Sequence, residues 1–264
     1  MNIQPLAEFP AEAQRAVRFV LLDIDDTLTT EGRLTATAYG ALERLSERGL
    51  RVIPVTGRPA GWCDMIARFW PVDAVVGENG AFWFRYDRRA RRMTRRFWLT
   101  DAERKTAHRR LARLGEQIVA AVPAARIAAD QAYRAADLAI DYAEDTGPLP
   151  WDEVDRIFAH MKQAGASANV SSIHVNAWFG DWDKLAMTRR LFDEAYGIDL
   201  DRQRDAIVFI GDSPNDEPMF AYFPHSVAVA NIRSFLPRLT SLPTYITDRA
   251  AGDGFVEFAE MLLS

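Results

Sequence analysis

Two hydrophobic runs in this chain are too continuous to alternate between core and water. Residues 19–22 (Phe-Val-Leu-Leu) and 207–210 (Ile-Val-Phe-Ile) read as strands covered on both faces, as in a parallel sheet. Residues 51–55, 74–76, 227–230 and 244–247 predict further strands of that kind. Between them the apolar spacing turns helical. Leu42 and Leu45 mark the buried stripe of a helix over 35–49, with Gly49 as its C-cap. A second helix covers 62–69. Another opens at 181–184 with Leu185, Thr188, Leu191 and Phe192 on one side, and the last runs through Phe255, Phe258 and Leu262. Strands alternating with helices predict an α/β class.

The middle of the chain has a different pattern. Residues 81–86 and 93–99 read as two strands around a turn, with seven arginines between Arg85 and Arg96. Such a run is read as a solvated hairpin edge that discourages strand pairing, in preference to a nucleic-acid patch. Thr100-Asp101-Ala102-Glu103 has the form of a capping box, and Ala107, Leu111, Leu114, Ile118 and Val122 keep helical spacing up to Pro123. A strand at 138–142, a helix with Trp151, Val154, Ile157, Phe158 and Met161 ended by Gly165, and strands at 168–170 and 173–179 follow. Residues 85–180 therefore read as a separate α+β unit inserted between core segments 1–84 and 181–264.

Polar residues that carry chemistry gather where strands end. After the run 19–22 comes Asp23-Ile24-Asp25-Asp26-Thr27. Asp23 and Asp25 leave one face of an extended backbone, and two such carboxylates suit a divalent cation with a basic partner. An EF-hand loop is excluded, since Leu28 and Leu34 stand where Gly and Glu are needed. The strand 51–55 ends in Thr56-Gly57-Arg58, where a hydroxyl and a bare backbone N–H can approach a phosphate. Glu78-Asn79-Gly80-Ala81 reads as a turn with Asn79 as a candidate for the site. Lys184 opens a helix, and Gly211-Asp212-Ser213-Pro214-Asn215-Asp216 follows the strand 207–210.

Taken in order, D-x-D-x-T, a strand-terminal Thr, a helix-opening Lys and G-D-x-x-N-D resemble the four motifs of the haloacid dehalogenase (HAD) superfamily. The E-N-G-A segment and the Asp183-Lys184 pair are similar to subfamily IIB. The resemblance implies a Rossmann-like core and an inserted cap of type C2. It also implies a phosphohydrolase: Asp23 as nucleophile, Asp25 as acid and base, Lys184 as neutralising cation. Mg²⁺ would be held by Asp23, the Asp25 carbonyl and Asp212, with Asp216 as ligand or support. Thr56, with Gly57, Arg58, Asn79 and Asn215, is assigned to substrate binding. His174 and Asn176 alternate on the strand leading to Lys184, so they share a face and are read as cap contacts to the substrate. The expected substrate is a sugar phosphate or another small phosphorylated metabolite. A phosphomutase of the same subfamily and a non-catalytic regulatory module remain open alternatives.

Composition narrows the rest. A net charge of −5 over 264 residues argues against a general nucleic-acid binder. The single Cys63 excludes an internal disulfide and reads as a packed small hydrophobe. Trp83, Trp98, Trp151, Trp178 and Trp182 lie in or beside the inserted unit, and core packing is preferred over stacking on a sugar ring. No stretch is long enough to span a bilayer, and a cytoplasmic protein is expected.

Overall fold

A computed structural model describes residues 3–264. Thirteen strands form among them: β1 (Gln4–Pro5), β2 (Phe19–Leu22), β3 (Arg51–Pro54), β4 (Val75–Gly77), β5 (Phe82–Asp87), β6 (Arg92–Phe97), β7 (Arg126–Ile127), β8 (Leu138–Asp141), β9 (Ser167–Val170), β10 (His174–Trp178), β11 (Ile207–Gly211), β12 (His225–Ala228) and β13 (Tyr245–Ile246). The α-helices are α1 (Ala11–Ala16), α2 (Ala36–Glu47), α3 (Ala60–Phe69), α4 (Asp101–Ala121), α5 (Trp151–Gln163), α6 (Lys184–Leu191), α7 (Leu200–Gln203), α8 (Glu217–Tyr222) and α9 (Ala251–Leu263). None of the helices is long and apolar enough to cross a membrane.

Six strands form one parallel sheet in the order β1-β13-β12-β11-β2-β3. The central strands alternate between two covered faces. Val20 and Leu22 of β2, with Val208 and Ile210 of β11, pack against Leu42 and Leu45 of α2 and Phe255 and Phe258 of α9. Phe19 and Leu21, with Ile207 and Phe209, pack against Met187 and Leu191 of α6 and Phe220 of α8. Helices on both faces explain why these strands are apolar throughout. The sequence reading had no signal for the two-residue edge strand β1, which sits beyond β13, nor for α1.

β4, β5 and β6 form an antiparallel sheet joined to the main one by a parallel bridge between Val55 and Val76. Phe82 and Phe84 stack at 4.3 Å and lie with Cys63 and Ile66 of α3, while Trp83 turns to the side of Leu191 and Phe192. The hairpin thus packs on the core, and a division at residue 84 would cut through β5. We place the start of the inserted lobe near residue 100, where the Thr100–Glu103 capping box opens α4. The arginine-rich strand faces solvent and pairs with acids of core helices: Arg95 with Asp64, and Arg96 with Glu194 at 3.7 Å.

The inserted lobe is an antiparallel sheet, β7-β8-β10-β9, with α4 and α5 on one face. Leu138 and Ile140 of β8 and Val175 and Ala177 of β10 meet Leu111, Leu114 and Ile118 of α4 and Val154, Ile157 and Met161 of α5. Strand alternation sends Asp141, His174 and Asn176 to the opposite face. Where the chain crosses between lobes, Trp178 and Trp182 stack at 6.0 Å and Trp98 donates through Nε1 to Asp181 at 3.1 Å. Trp83, Trp178 and Trp182 are buried, so the packing reading holds for these three, and Trp151 is partly exposed over Phe235.

Candidate active site

The parallel sheet brings three motif-bearing strand ends together. β2 and β11 pair with Leu22 opposite Ile210, so Asp23 and Asp212 emerge side by side, and Asp23 N–H donates to Ile210 C=O at 2.9 Å. β3 lies on the other side of β2, with Leu22 opposite Pro54, and delivers Thr56 two residues later. Such a row of carboxyl strand ends is where open α/β sheets bind ligands.

Lys184 reaches this row from the start of α6, which Asp183 caps by accepting from Ala186 N–H at 2.7 Å. The Glu78-Asn79-Gly80 turn presses against that start. Gly80 has φ +107°, and a Cβ there would collide with the Asp183 carbonyl. Lys184 Nζ lies 2.7 Å from Asp216 Oδ1 and 3.1 Å from Asp23 Oδ1. Asp216 Oδ2 accepts the N–H groups of Asp212 and Ser213 at 3.0 and 3.2 Å. Gly211 leaves the room Asp216 occupies, since a Cβ at Gly211 would strike that carboxylate.

Asp23, Asp212 and Asp216 each offer an oxygen within 4.8 Å of the others, and all three are buried. Burial pushes the Asp23 carboxyl up to about 7, with Lys184 pulling down and Asp216 and Asp25 pushing up. Burial, then Asp23 and Asp216, raise Asp212 well above the usual carboxylate range. Asp23 Oδ1 accepts no hydrogen bond although Lys184 stands beside it. Three buried carboxylates with an orphaned oxygen fit a hard divalent cation, which would favour their charged forms.

Asp25 points elsewhere. Its Oδ1 accepts from Arg58 Nε at 2.8 Å and lies 2.6 Å from Nη2. Thr56 is buried and its Oγ1 accepts the Arg58 N–H at 3.1 Å. Asn215 donates through Nδ2 to Asn79 Oδ1 at 3.1 Å, which leaves Asn79 Nδ2 buried without an acceptor, beside Gly57. Glu78 and Asn79 both have left-handed backbones, φ 44° and 54°. The Gly57 carbonyl is taken by Arg134 Nη1 at 3.0 Å.

The inserted lobe closes over these residues. His174 Nε2 lies 2.9 Å from Glu144 Oε2, and Glu144 Oε1 accepts from Arg58 Nη2 at 2.6 Å. His174 thus reaches Asp25 only through Glu144 and Arg58. Asn176 is turned to Asp137, to whose Oδ2 it donates at 2.9 Å. Glu78 accepts N–H groups from both lobes: Ala60 at 2.9 Å, Ala135 at 2.7 Å, Ala136 at 2.6 Å and Asp137 at 3.2 Å. It is a clasp between core and lobe.

Three residues with clear roles in this geometry escaped the sequence reading. Asn231 follows β12 and donates through Nδ2 to Asp212 Oδ2 and to the Asp26 carbonyl. It is the first polar residue beyond β12, the same strand-end signal that marked Asp23, Thr56 and Asp212. Glu144 acts over a long sequence separation and carries no local pattern, and Glu78 stands in the legible Glu78-Asn79-Gly80-Ala81 segment but accepts from residues far along the chain.

The profile of a family described as haloacid dehalogenase-like hydrolase matches residues 20–96 and 150–258. The chain is 28% identical over 254 residues to a phosphoglycolate phosphatase of Methanothrix thermoacetophila, covering 92% of this chain and 96% of that protein. Among solved structures it resembles the C-terminal domain of Candida albicans trehalose-6-phosphate phosphatase, with TM-score 0.72, 13% identity and 99% and 98% of the two chains covered. Thermoplasma acidophilum 0175 gives TM-score 0.68 and 20% identity over 94% and 98%. These similarities reach across both lobes and agree with the four motifs in order, and the chain belongs to the haloacid dehalogenase-like hydrolases.

Proposed function

We propose that the chain is a Mg²⁺-dependent phosphomonoesterase that works through an aspartyl-phosphate on Asp23 and acts on a small phosphorylated metabolite such as a sugar phosphate. The observation that carries this reading is the buried triangle of Asp23, Asp212 and Asp216 with Lys184 against two of its corners. Phosphoryl transfer asks for an in-line nucleophile, charge neutralisation and a proton shuttle.

In this reading Asp23 Oδ attacks phosphorus, the phosphorus–oxygen bond to the alcohol breaks, and Asp25 gives that oxygen its proton. Water then attacks the aspartyl-phosphate, and Asp25 takes back a proton. Lys184 and the donors at Thr56, Gly57 and Asn79 meet the phosphoryl oxygens. Asn215 orients Asn79. Asp23, the Asp25 carbonyl, Asp212 and Asp216 would hold Mg²⁺, which supplies neutralisation of charge on the transferring phosphoryl group. His174 and Asn176 act by holding Glu144 and Asp137 on the lobe's inner face.

The test is phosphate release from p-nitrophenyl phosphate and a panel of sugar phosphates, with Mg²⁺ and with EDTA. Release that stops in EDTA and returns with Mg²⁺ is expected. Full activity in EDTA would overturn the metal assignment, and conversion of a sugar phosphate to its isomer without phosphate release would make the chain a mutase.

A further inference from the structure

We infer that Glu144 makes this site select against leaving groups that carry a negative charge, so that the preferred esters are phosphates of uncharged hydroxyl compounds. The inference rests on the phosphatase reading above and narrows its substrate.

A leaving oxygen protonated by Asp25 departs along the wall beyond Asp25, and the two arginines of that wall, Arg58 and Arg134, are both committed. Arg58 Nη2 lies 2.6 Å from Asp25 Oδ1 and 2.6 Å from Glu144 Oε1. Its Nη1 is 3.5 Å from Asp130 Oδ2, and its face lies 4.5 Å from the Trp62 ring centre. Arg134 is held by both oxygens of Asp130, at 2.8 and 2.9 Å, and both of Asp137, at 3.0 and 3.1 Å. At the far edge Arg238 covers Trp151 and pairs with Asp155. Lys184 lies between Asp23 and Asp216, on the side of the phosphoryl group and not on this wall.

Two arginines therefore face four carboxylates here: Asp25, Asp130, Asp137 and Glu144. A leaving group with its own carboxylate or second phosphate meets a negative wall whose two arginines are already paired. A hydroxyl fits, because it can donate to a carboxylate and accept from a guanidinium.

Beyond Asp25 itself, Glu144 is the member of this set that a leaving group can reach. Its side chain is 26% exposed, against 7% for Asp130 and none for Asp137. It is also built into place. Asp141 accepts four successive N–H groups, from Ala143 at 3.0 Å, Glu144 at 2.8 Å, Asp145 at 2.9 Å and Thr146 at 3.1 Å, and so fixes the loop that carries it. Behind it, buried His174 Nε2 approaches at 2.9 Å without another partner.

The experiment compares glycerol 3-phosphate with 3-phosphoglycerate, which differ only in a hydroxymethyl against a carboxylate. Both are read as kcat/KM, or as inhibition of p-nitrophenyl phosphate hydrolysis where turnover is too slow. The wild type should favour glycerol 3-phosphate by about tenfold or more, the scale of a like-charge encounter. Glu144→Gln, shown folded by circular dichroism, should bring the two within about threefold, and Glu144→Asp should keep the preference. In the wild type the preference should shrink from about 20 mM to about 500 mM KCl, as screening weakens a partly exposed charge. Equal values on the two esters, a wild-type preference for 3-phosphoglycerate, or an unchanged ratio in Glu144→Gln or at high salt would overturn the inference. Absence of any p-nitrophenyl phosphate hydrolysis would overturn the phosphatase reading, and the inference with it.

Discussion

The Asn231 amide holds Asp212 against the loop that follows Asp23: its Nδ2 lies 3.2 Å from Asp212 Oδ2 and 3.0 Å from the Asp26 carbonyl. Thr27 Oγ1 donates to the other Asp212 oxygen at 3.0 Å, and Asn231 Oδ1 accepts from Ala251 N–H at the start of α9. Both oxygens of Asp212 are thereby aimed. Asn231→Ala should weaken Mg²⁺ binding by about 10- to 100-fold, the usual cost of losing a residue that orients a metal ligand. The midpoint of the thermal upshift with added Mg²⁺ measures this without turnover. A midpoint equal to the wild type's would mean that Thr27 alone orients Asp212.

Asp23→Asn keeps the shape of the side chain and removes the proposed nucleophile. Turnover should fall on the order of a thousandfold or more while circular dichroism stays unchanged. Asp25→Asn should also impair turnover, by removing the proton shuttle. Substantial turnover by clean Asp23→Asn protein would exclude covalent catalysis through that residue.

Strand ends made much of this site legible. A strand's polarity and its first turn residues are local, so Asp23, Thr56 and Asp212 declare themselves from their neighbours, and parallel pairing then sets them side by side. Lys184 was legible only by its order in the chain, because nothing local distinguishes a buried lysine at a helix start from an exposed one. The alternation that puts His174 and Asn176 on one face was readable, but their partners Glu144 and Asp137 were not, since a contact with a distant segment of the same lobe leaves no periodic trace. The same holds for the β5–β6 hairpin, where the arginines drew attention and Phe82 and Phe84 decided the packing.

Glu78 gathers four N–H groups from two lobes with a carboxylate that is fully buried. Glu78→Ala would orphan those donors and should cost about 3 kcal/mol or more. Glu78→Gln should fall between, since it keeps one acceptor oxygen and sets an amide donor against N–H groups. Denaturant unfolding gives the cost, and hydrogen exchange at Ala135, Ala136 and Asp137 locates it. Exchange at those three amides as slow as in the wild type would show that other contacts hold the lobe.

Burial pushes the Glu144 carboxyl up, but His174 and Arg58 outweigh it and hold it at about 2, below its ordinary 4.5. Between those values the unfolded chain binds a proton that the native state lacks. Stability from this group is therefore complete above about 4.5 and is lost as pH falls toward 2. The side chain is partly exposed, so screening limits the gain to about 1 kcal/mol. Thermal melts of wild type and Glu144→Gln from about pH 5 to about pH 2.5 should converge toward acid. Parallel curves would show that the ion pair is silent in solution.

The strand that leads into Asp23 is paired with one made much later in synthesis, and the Thr27–Asp212 hydrogen bond spans 185 residues. On the ribosome, Asp23 emerges long before Lys184 or Asp212 exists. The inserted lobe draws its apolar cluster from residues between Leu111 and Phe179 and can collapse while the core is still open. Until β11 arrives, β2 presents a bare, fully apolar edge of the kind that invites pairing with other chains. Nascent or truncated chains that stop before β11 are thus the aggregation-prone species, and the reactive centre comes into being in a single late step, when β11 slots beside β2 and α9 closes the sheet behind it.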